Sequence, residues 1–332
     1  MPSFQQSLFS VGAPPPGTAP VGPAELPPEI HALGASLPAN LRFGTSSWAY
    51  PGWLGLVYDR VLSEQTLSQR GLLAYGQHPL LRSVDIDRTH YAPLESAAFA
   101  ELAAQVPDTF RFLAKAHDAT TLARFPRHPR YGAHQGEKNE RFFDPVYATD
   151  AVVGPFAEGL GKKAGPLLFQ LAPQDVVELG GPLGFPARVH RFLSALPKTS
   201  FYALEVRNAA LLTPALSDAL AAARAAPCLL GYPHMPDLET QARVLQVERF
   251  PALVVRWMLQ RSMSHEGAGA KYAPFDRLQD PDPVTRAQLA RIIVAMLRRN
   301  KPVLVIVNNN AEGSAPRSIV LLAEEVSRLL DA

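Results

Sequence analysis

The chain has 332 residues, with 32 Lys+Arg against 30 Asp+Glu, 47% apolar residues, 32 Pro, 22 Gly and one Cys. A formal net charge of +2 makes the whole molecule no polycation, so attraction to a polyanion needs a local basic patch. The apolar content is that of a chain that buries a core rather than of a disordered or collagen-like one. The single Cys228 cannot form an internal disulfide and no Cys/His cluster has zinc spacing, which suits a reducing, cytoplasmic setting. No basic leader precedes an apolar stretch and no run of about 18 apolar residues occurs, so neither a signal peptide nor a membrane span is expected.

Residues 1–40 hold nine of the 32 prolines among Gly, Ala and Ser, as in Ala13-Pro14-Pro15-Pro16-Gly17. Proline removes backbone donors and fixes φ, so this stretch reads as an extended or flexible arm. From residue 41 to 332 the pattern becomes one domain of short β-like runs, each followed by an amphipathic helix-like segment. The strands are expected at 42–46, 82–87, 110–115, 166–171, 201–206, 227–231, 252–256 and 303–308. The helices are expected near 63–75, 95–105, 149–161, 186–196, 212–225, 237–248, 283–299 and 316–330. Eight such pairs predict an α/β fold of the TIM-like (β/α)8 barrel type. The alternative, an open doubly wound sheet, usually carries a Gly-rich phosphate loop after its first strand. Here that place holds Ser47-Trp48-Ala49-Tyr50-Pro51-Gly52-Trp53, and no cofactor fingerprint is found.

Several strand ends resemble one family. They are Gly44-Thr45-Ser46-Ser47-Trp48-Ala49-Tyr50-Pro51-Gly52-Trp53, Val84-Asp85-Ile86-Asp87-Arg88-Thr89-His90-Tyr91, Phe110 to Lys115, Gly165 to Pro173, Tyr202-Ala203-Leu204-Glu205-Val206-Arg207 and Val307-Asn308-Asn309-Asn310. In this order, over about residues 41–330, they are similar to the YecE-like family of uncharacterised proteins, domain of unknown function 72. The resemblance implies a TIM-like barrel and carries no established reaction. The chain departs from that pattern in three places. Asp85 and Asp87 stand where Glu and Asn are usual, Arg256-Trp257-Met258-Leu259 replaces an Arg-x-His-Gly end, and Gly231-Tyr232-Pro233-His234 ends the sixth strand without an acid.

Side chains two apart share one face of a strand. Tyr202, Leu204 and Val206 form an apolar outer set, which turns Ala203, Glu205 and Arg207 inward, and Val84 and Ile86 likewise leave Asp85 and Asp87 inside. Lys115, Gln170, Arg256, Asn308 and Asn309 fall at the ends of other strands, the end where barrel enzymes place their chemistry. Glu205 and Asp87 are the candidate proton-handling pair. Lys115, Gln170, Arg207, Arg256, Asn308, Asn309, Trp48 and Tyr91 are the candidate substrate-binding groups. Three acids (Asp85, Asp87, Glu205) against three bases (Lys115, Arg207, Arg256) also suit a closed ion network that plugs the barrel.

Three further features allow more than one reading. Asp87, His90, His117, Glu205 and His234 could approach one metal, but the His residues have no helical ligand spacing, so no metal is expected. The stretch from Asn308 to Arg317, with Ser314 placed to cap the last helix, suits either an anion site or an ordinary turn. The long irregular stretch 116–148, with Arg124, Arg127, Arg130, Lys138 and Arg141 among aromatic residues, suits a nucleic-acid surface, a lid or a solvated loop. Cys228 reads as a small core residue. The sequence thus points to a barrel enzyme using acid–base chemistry on an anionic, phosphate- or nucleotide-bearing substrate. The alternatives are a non-catalytic nucleic-acid-binding module and a structural or assembly protein with a plugged barrel. The expected partners are therefore an anionic small molecule or nucleic acid, and no membrane.

Overall fold

A computed structural model describes residues 20–332. Eight parallel strands, β1 (Leu41–Thr45), β2 (Leu81–Ile86), β3 (Arg111–Lys115), β4 (Ala164–Leu171), β5 (Phe201–Val206), β6 (Ala226–Gly231), β7 (Leu253–Trp257) and β8 (Val303–Val307), close in sequence order into one barrel. All eight lie within two residues of their expected places, because each is a short apolar run that a parallel sheet covered on both faces requires. The alternation in β8 shows how the layers arise. Val303, Val305 and Val307 join the large core between strands and helices, while Leu304 and Ile306 join Leu113, Leu168, Ala203, Cys228 and Val254 inside the barrel. Cys228 is thus a filler of the interior, as its neighbours in sequence suggested.

Above that apolar layer, towards the C-terminal strand ends, the inward residues turn polar. Asp85, Lys115, Gln170, Glu205 and Arg256 are all buried. One backbone device sets this rim on the β1 side. The β1–β2 register shifts between Phe43 and Gly44, and a Cβ on Gly44 would lie 2.2 Å from the Ser83 carbonyl oxygen. Tyr75 fastens the same place, donating from Oη to the Ser83 carbonyl (2.8 Å) and accepting from the Thr45 amide (3.1 Å).

The helices differ more from expectation than the strands. The segment 63–75 divides at Gly71 into Glu64–Arg70 and Leu72–Tyr75. The fourth outer helix begins at Gly181, ahead of Pro186, and runs to Ala195. A helix at His265–Tyr272, capped by the Ser264 hydroxyl on the Gly267 amide, lies in a stretch for which no element was expected. Its Gly- and Ala-rich sequence carries no apolar stripe.

The expected Pro-rich arm is also modified. Residues 1–19 lie outside the described residues, whereas Pro28–Ser36 form a helix and not an extended segment. Pro27 and Pro28 favour its start, since the first helical turn needs no proline N–H. Arg82 fixes its far end by donating to the carbonyls of Pro38 (3.3 Å) and Gly34. Among the described residues no helix is long and apolar enough to cross a membrane.

Candidate functional site

Arg256 stands at the centre of the barrel with no exposed surface. Its Nη1 donates to Glu205 Oε2 (2.6 Å) and Gln170 Oε1 (3.0 Å), and its Nη2 donates to Asp85 Oδ2 (2.9 Å). Arg207 extends the network, donating from Nε to Glu205 Oε1 (2.7 Å) and from Nη2 to Gln170 Oε1 (3.1 Å). The β4–β5 register places Gln170 beside Glu205, so one amide oxygen meets both guanidiniums. Lys115 pairs with Asp87 one level higher. Of the three acids and three bases expected to form a closed network, Asp85, Glu205, Arg207 and Arg256 are joined, while Lys115 and Asp87 form a separate pair.

This network does not fill the mouth. Above it opens a cavity of about 560 Å3 into which Asp85, Asp87, Lys115, Gln170, Arg207 and Arg256 all face. Asn308, Asn309, Trp48 and Tyr91 line the same space, so nine of the ten expected site residues meet at one place. The tenth, Glu205, lies beneath the floor with no exposure, and each of its oxygens accepts from a guanidinium. Asp85 takes the place on the cavity side. Its Oδ1 has no hydrogen-bond partner among the described residues. The alternation that turned Asp87 inward pointed to Asp85 as well, but only the β7 guanidinium beside it shows how the two acids differ.

Burial and charge divide these carboxyls. Burial pushes Asp85 up to about 6, an effect that the Arg256 and Lys115 charges only partly oppose. Burial acts on Glu205 in the same sense, but the Arg256 and Arg207 charges outweigh it and hold the group at about 2. Asp87 is likewise lowered: burial would raise it, and the Lys115 ammonium more than reverses that. His90, buried and facing the Lys115 charge, falls to about 3 and is neutral near pH 7.

The remaining lining residues are held in place. Trp48 is 7% exposed and donates its indole N–H to the Leu67 (3.0 Å) and Ser68 (3.2 Å) carbonyls, so it forms wall more than free stacking surface. Asn308 donates to Ser46 Oγ (2.7 Å) and accepts from the Asn310 amide (2.9 Å). Tyr91 is 47% exposed at the rim, with the Arg130 guanidinium 5.0 Å above its ring. Phe275 and the His265–Tyr272 helix, which carries His265 and Gly269 to the cavity, close the β7 side. Sequence reading missed this helix for want of periodicity.

Two loop expectations change. After β8, the last helix (Ala315–Asp331) is capped by Asn309 Oδ1 on the Ala315 amide (2.8 Å), whereas Ser314 makes no capping bond. Ser314 and Ala315 are buried and Glu312 turns inward to Arg286 and the Asp282 amide, so this helix start is closed to an anion. Stretch 116–148 folds onto the barrel. Asn139 donates to the Ala119 (2.7 Å) and Leu122 (2.6 Å) carbonyls, and Phe143 stacks on Phe192 at 4.7 Å. Much of its charge is answered locally, by Arg124 with Glu178 (2.8 Å), Arg130 with Asp118, and Lys138 with Glu140 (3.2 Å). Among the described residues no three His, Cys, Asp or Glu side chains gather as a metal site.

A closed parallel barrel with polar groups converging at the C-terminal ends of its strands defines a TIM-like barrel protein. The particular family follows from the sequence: residues 42–331 match the family model described as protein of unknown function DUF72, and the chain belongs to that family. Among solved structures it is similar to the DUF72 family protein EF0366 of Enterococcus faecalis V583, at 18% identity and a TM-score of 0.55, over 88% of this chain and 96% of that one. It is also similar to the DUF72 family protein TM1631 of Thermotoga maritima MSB8, at 15% identity and a TM-score of 0.55, over 88% and 99%. At these identities the likeness speaks for the fold. No curated protein matches the chain.

Proposed function

We propose that the barrel mouth binds a small anionic substrate, phosphate- or nucleotide-bearing, and acts on it by acid–base chemistry. The observation that supports this best is that two carboxylates of divergent acidity, Asp85 and Asp87, open into the same cavity as Lys115 and Arg207. Carboxyl pairs driven apart by their surroundings are the usual mark of divided proton roles.

The roles follow from the hydrogen bonds. Arg207 commits Nε and Nη2 to Glu205 and Gln170, which leaves Nη1 for a ligand, and Lys115 has donors beyond the one given to Asp87. These two cations hold the anion. Asp85, with a value of about 6, is about one-tenth protonated at pH 7, and its Oδ1, buried and without a partner, is the atom left to carry the proton. Asp87 remains ionised and orients the Lys115 ammonium. Glu205 takes no proton in this reading; it fixes the planes of Arg256 and Arg207 from below. Tyr91 and Tyr232 flank the space with ring surfaces on which a sugar or base can lie, and Trp48 forms part of its wall.

A thermal-shift screen of phosphorylated metabolites, nucleotides and short oligonucleotides, with and without divalent ions, tests the proposal. A small phosphate- or nucleotide-bearing ligand should raise Tm in the native sequence and lose its effect in Arg207→Gln. Asp85→Asn should keep the shift and lose turnover. A shift that survives Arg207→Gln and Lys115→Gln would remove the mouth from consideration. Binding by oligonucleotides alone, lost in Arg124→Gln/Arg127→Gln/Arg130→Gln and falling steeply with salt, would favour a nucleic-acid-binding module on the 116–148 loop.

A further inference from the structure

The opposite end of the barrel holds a second, open-sided cavity, of about 410 Å3, lined by the strand starts. Most of its lining is apolar, with Phe201, Val254 and Leu304 reaching it from the underside of the interior layer. Two charged residues share that lining, Arg42 on β1 and Arg111 on β3. Arg42 donates Nε to the Thr109 carbonyl (3.3 Å), and Arg111 donates Nη1 to the carbonyls of Asp108 and Phe110 (2.7 Å each). Among the described residues neither forms an ion pair, and Asp108 turns its carboxylate to Lys163 instead (3.3 Å).

Basic side chains on this face have an ordinary use, since helix C-termini point here and their carbonyls need donors. Arg82 meets that need at Gly34 and Pro38, and Lys163 at Ala103 and Val106. Arg42 and Arg111 differ by bordering an open cavity. Burial lowers the pKa of Arg42, and Arg111 and Arg82 stand close enough for their charges to lower it further. Like charges gathered at the edge of an apolar space without a counter-charge favour an anion, and an apolar body behind the anionic head would cover the rest of the lining.

We propose that this cavity binds a small amphiphilic carboxylate, of which a medium-chain fatty acid is the simplest form. The head group lies between Arg42 and Arg111, whose planar forks match a carboxylate's two oxygens. The alkyl chain lies against Phe201, Val254 and Leu304. Its volume is within the usual range of small-molecule pockets. The site is separate from the mouth and stands whether or not the chemistry assigned there is right.

Calorimetric titration of the full chain with decanoate, below its micelle concentration, tests this, with decanol as the uncharged control. Decanoate should bind saturably, and decanol about tenfold or more weaker, as expected when charge-assisted hydrogen bonds are lost. Arg42→Gln/Arg111→Gln should weaken decanoate by a similar factor, while Arg207→Gln at the mouth should leave it unchanged. Should the double variant fail to fold, methyl NMR of the native sequence decides: contacts from the alkyl chain to Leu304 and Val254 support the site. No saturable binding, equal affinity for decanol, or contacts to Met258 at the mouth would overturn it.

Discussion

Arg256→Met tests the ion network most directly, since it keeps an unbranched stem and deletes the guanidinium. Three acceptors lose a donor: Asp85 at 2.9 Å, Glu205 at 2.6 Å and Gln170 at 3.0 Å. The two acids do not lose equally. Glu205 keeps Arg207 at 2.7 Å, whereas Asp85 keeps no hydrogen bond, its Oδ1 having had none before. Removing one partner of a buried pair costs about 3–5 kcal/mol, a large part of the roughly 5–15 kcal/mol that holds a protein folded. Most of that loss should therefore belong to Asp85. A second substitution, Asp85→Asn, should recover much of it, while Glu205→Gln should recover less and leave Arg207 without its carboxylate. Urea unfolding at pH 7.5 of the three single variants and the two doubles, with unchanged m, gives the coupling energies directly. A loss under about 1 kcal/mol in Arg256→Met, typical of exposed pairs, would refute the reasoning, as would equal rescue by the two second substitutions.

The remaining predictions concern pH and backbone. Asp85 has its folded value raised to about 6 from 3.8, so its contribution to stability is fully present below pH 3.8 and is lost as pH rises through 6, on the order of 3 kcal/mol. Asp85→Asn should flatten that decline when urea midpoints are compared between pH 4 and 7. Glu205 has the opposite sign: lowered to about 2 from 4.5, it stabilises above pH 4.5 and stops doing so as pH falls through 2, so Glu205→Gln should flatten the acid limb. Gly44→Ala places a Cβ 2.2 Å from the Ser83 carbonyl oxygen and should cost about 1–3 kcal/mol in the same assay, whereas Gly184→Ala, with open space around it, should cost less.

The sequence showed the strands because each residue pattern is local. β8 alternates valines that face the helices with Leu304 and Ile306 that face inward, and that spacing needs no tertiary knowledge. The same alternation turned Asp87, Glu205 and Arg207 inward correctly. What it could not supply was height along the barrel axis. Glu205 and Arg207 are two residues apart on one face, yet one is sealed under the floor and the other opens to the cavity, a difference set by where Arg256 arrives from β7. Capping of the last helix was misread for a related reason. Ser314 has the right position, but Asn309 reaches the Ala315 amide first because the turn after β8 folds back on itself. The His265–Tyr272 helix, half of it Gly and Ala, has no stripe from which to be read.

Charge balance at the mouth leads to the last prediction. Asp85, Asp87 and Glu205 offset Lys115, Arg207 and Arg256 when all six are ionised. An arriving monoanion takes part of the positive field of Lys115 and Arg207 for itself and leaves the site one negative charge in excess. Asp85 is the acid that responds, because burial already favours its neutral form and the Lys115 charge is one of the two that oppose it. Anion binding at pH 7.5 should therefore take up a proton, approaching about one per ligand, since a group with a value near 6 is almost wholly ionised beforehand. Titration calorimetry in Hepes and in Tris measures this, because the proton comes from buffers of different ionisation enthalpy. In Asp85→Asn the two buffers should give the same heat. Equal heats in the native protein would show that Asp85 stays charged beside the ligand and would withdraw its role as the proton carrier, while leaving the anion site itself in place.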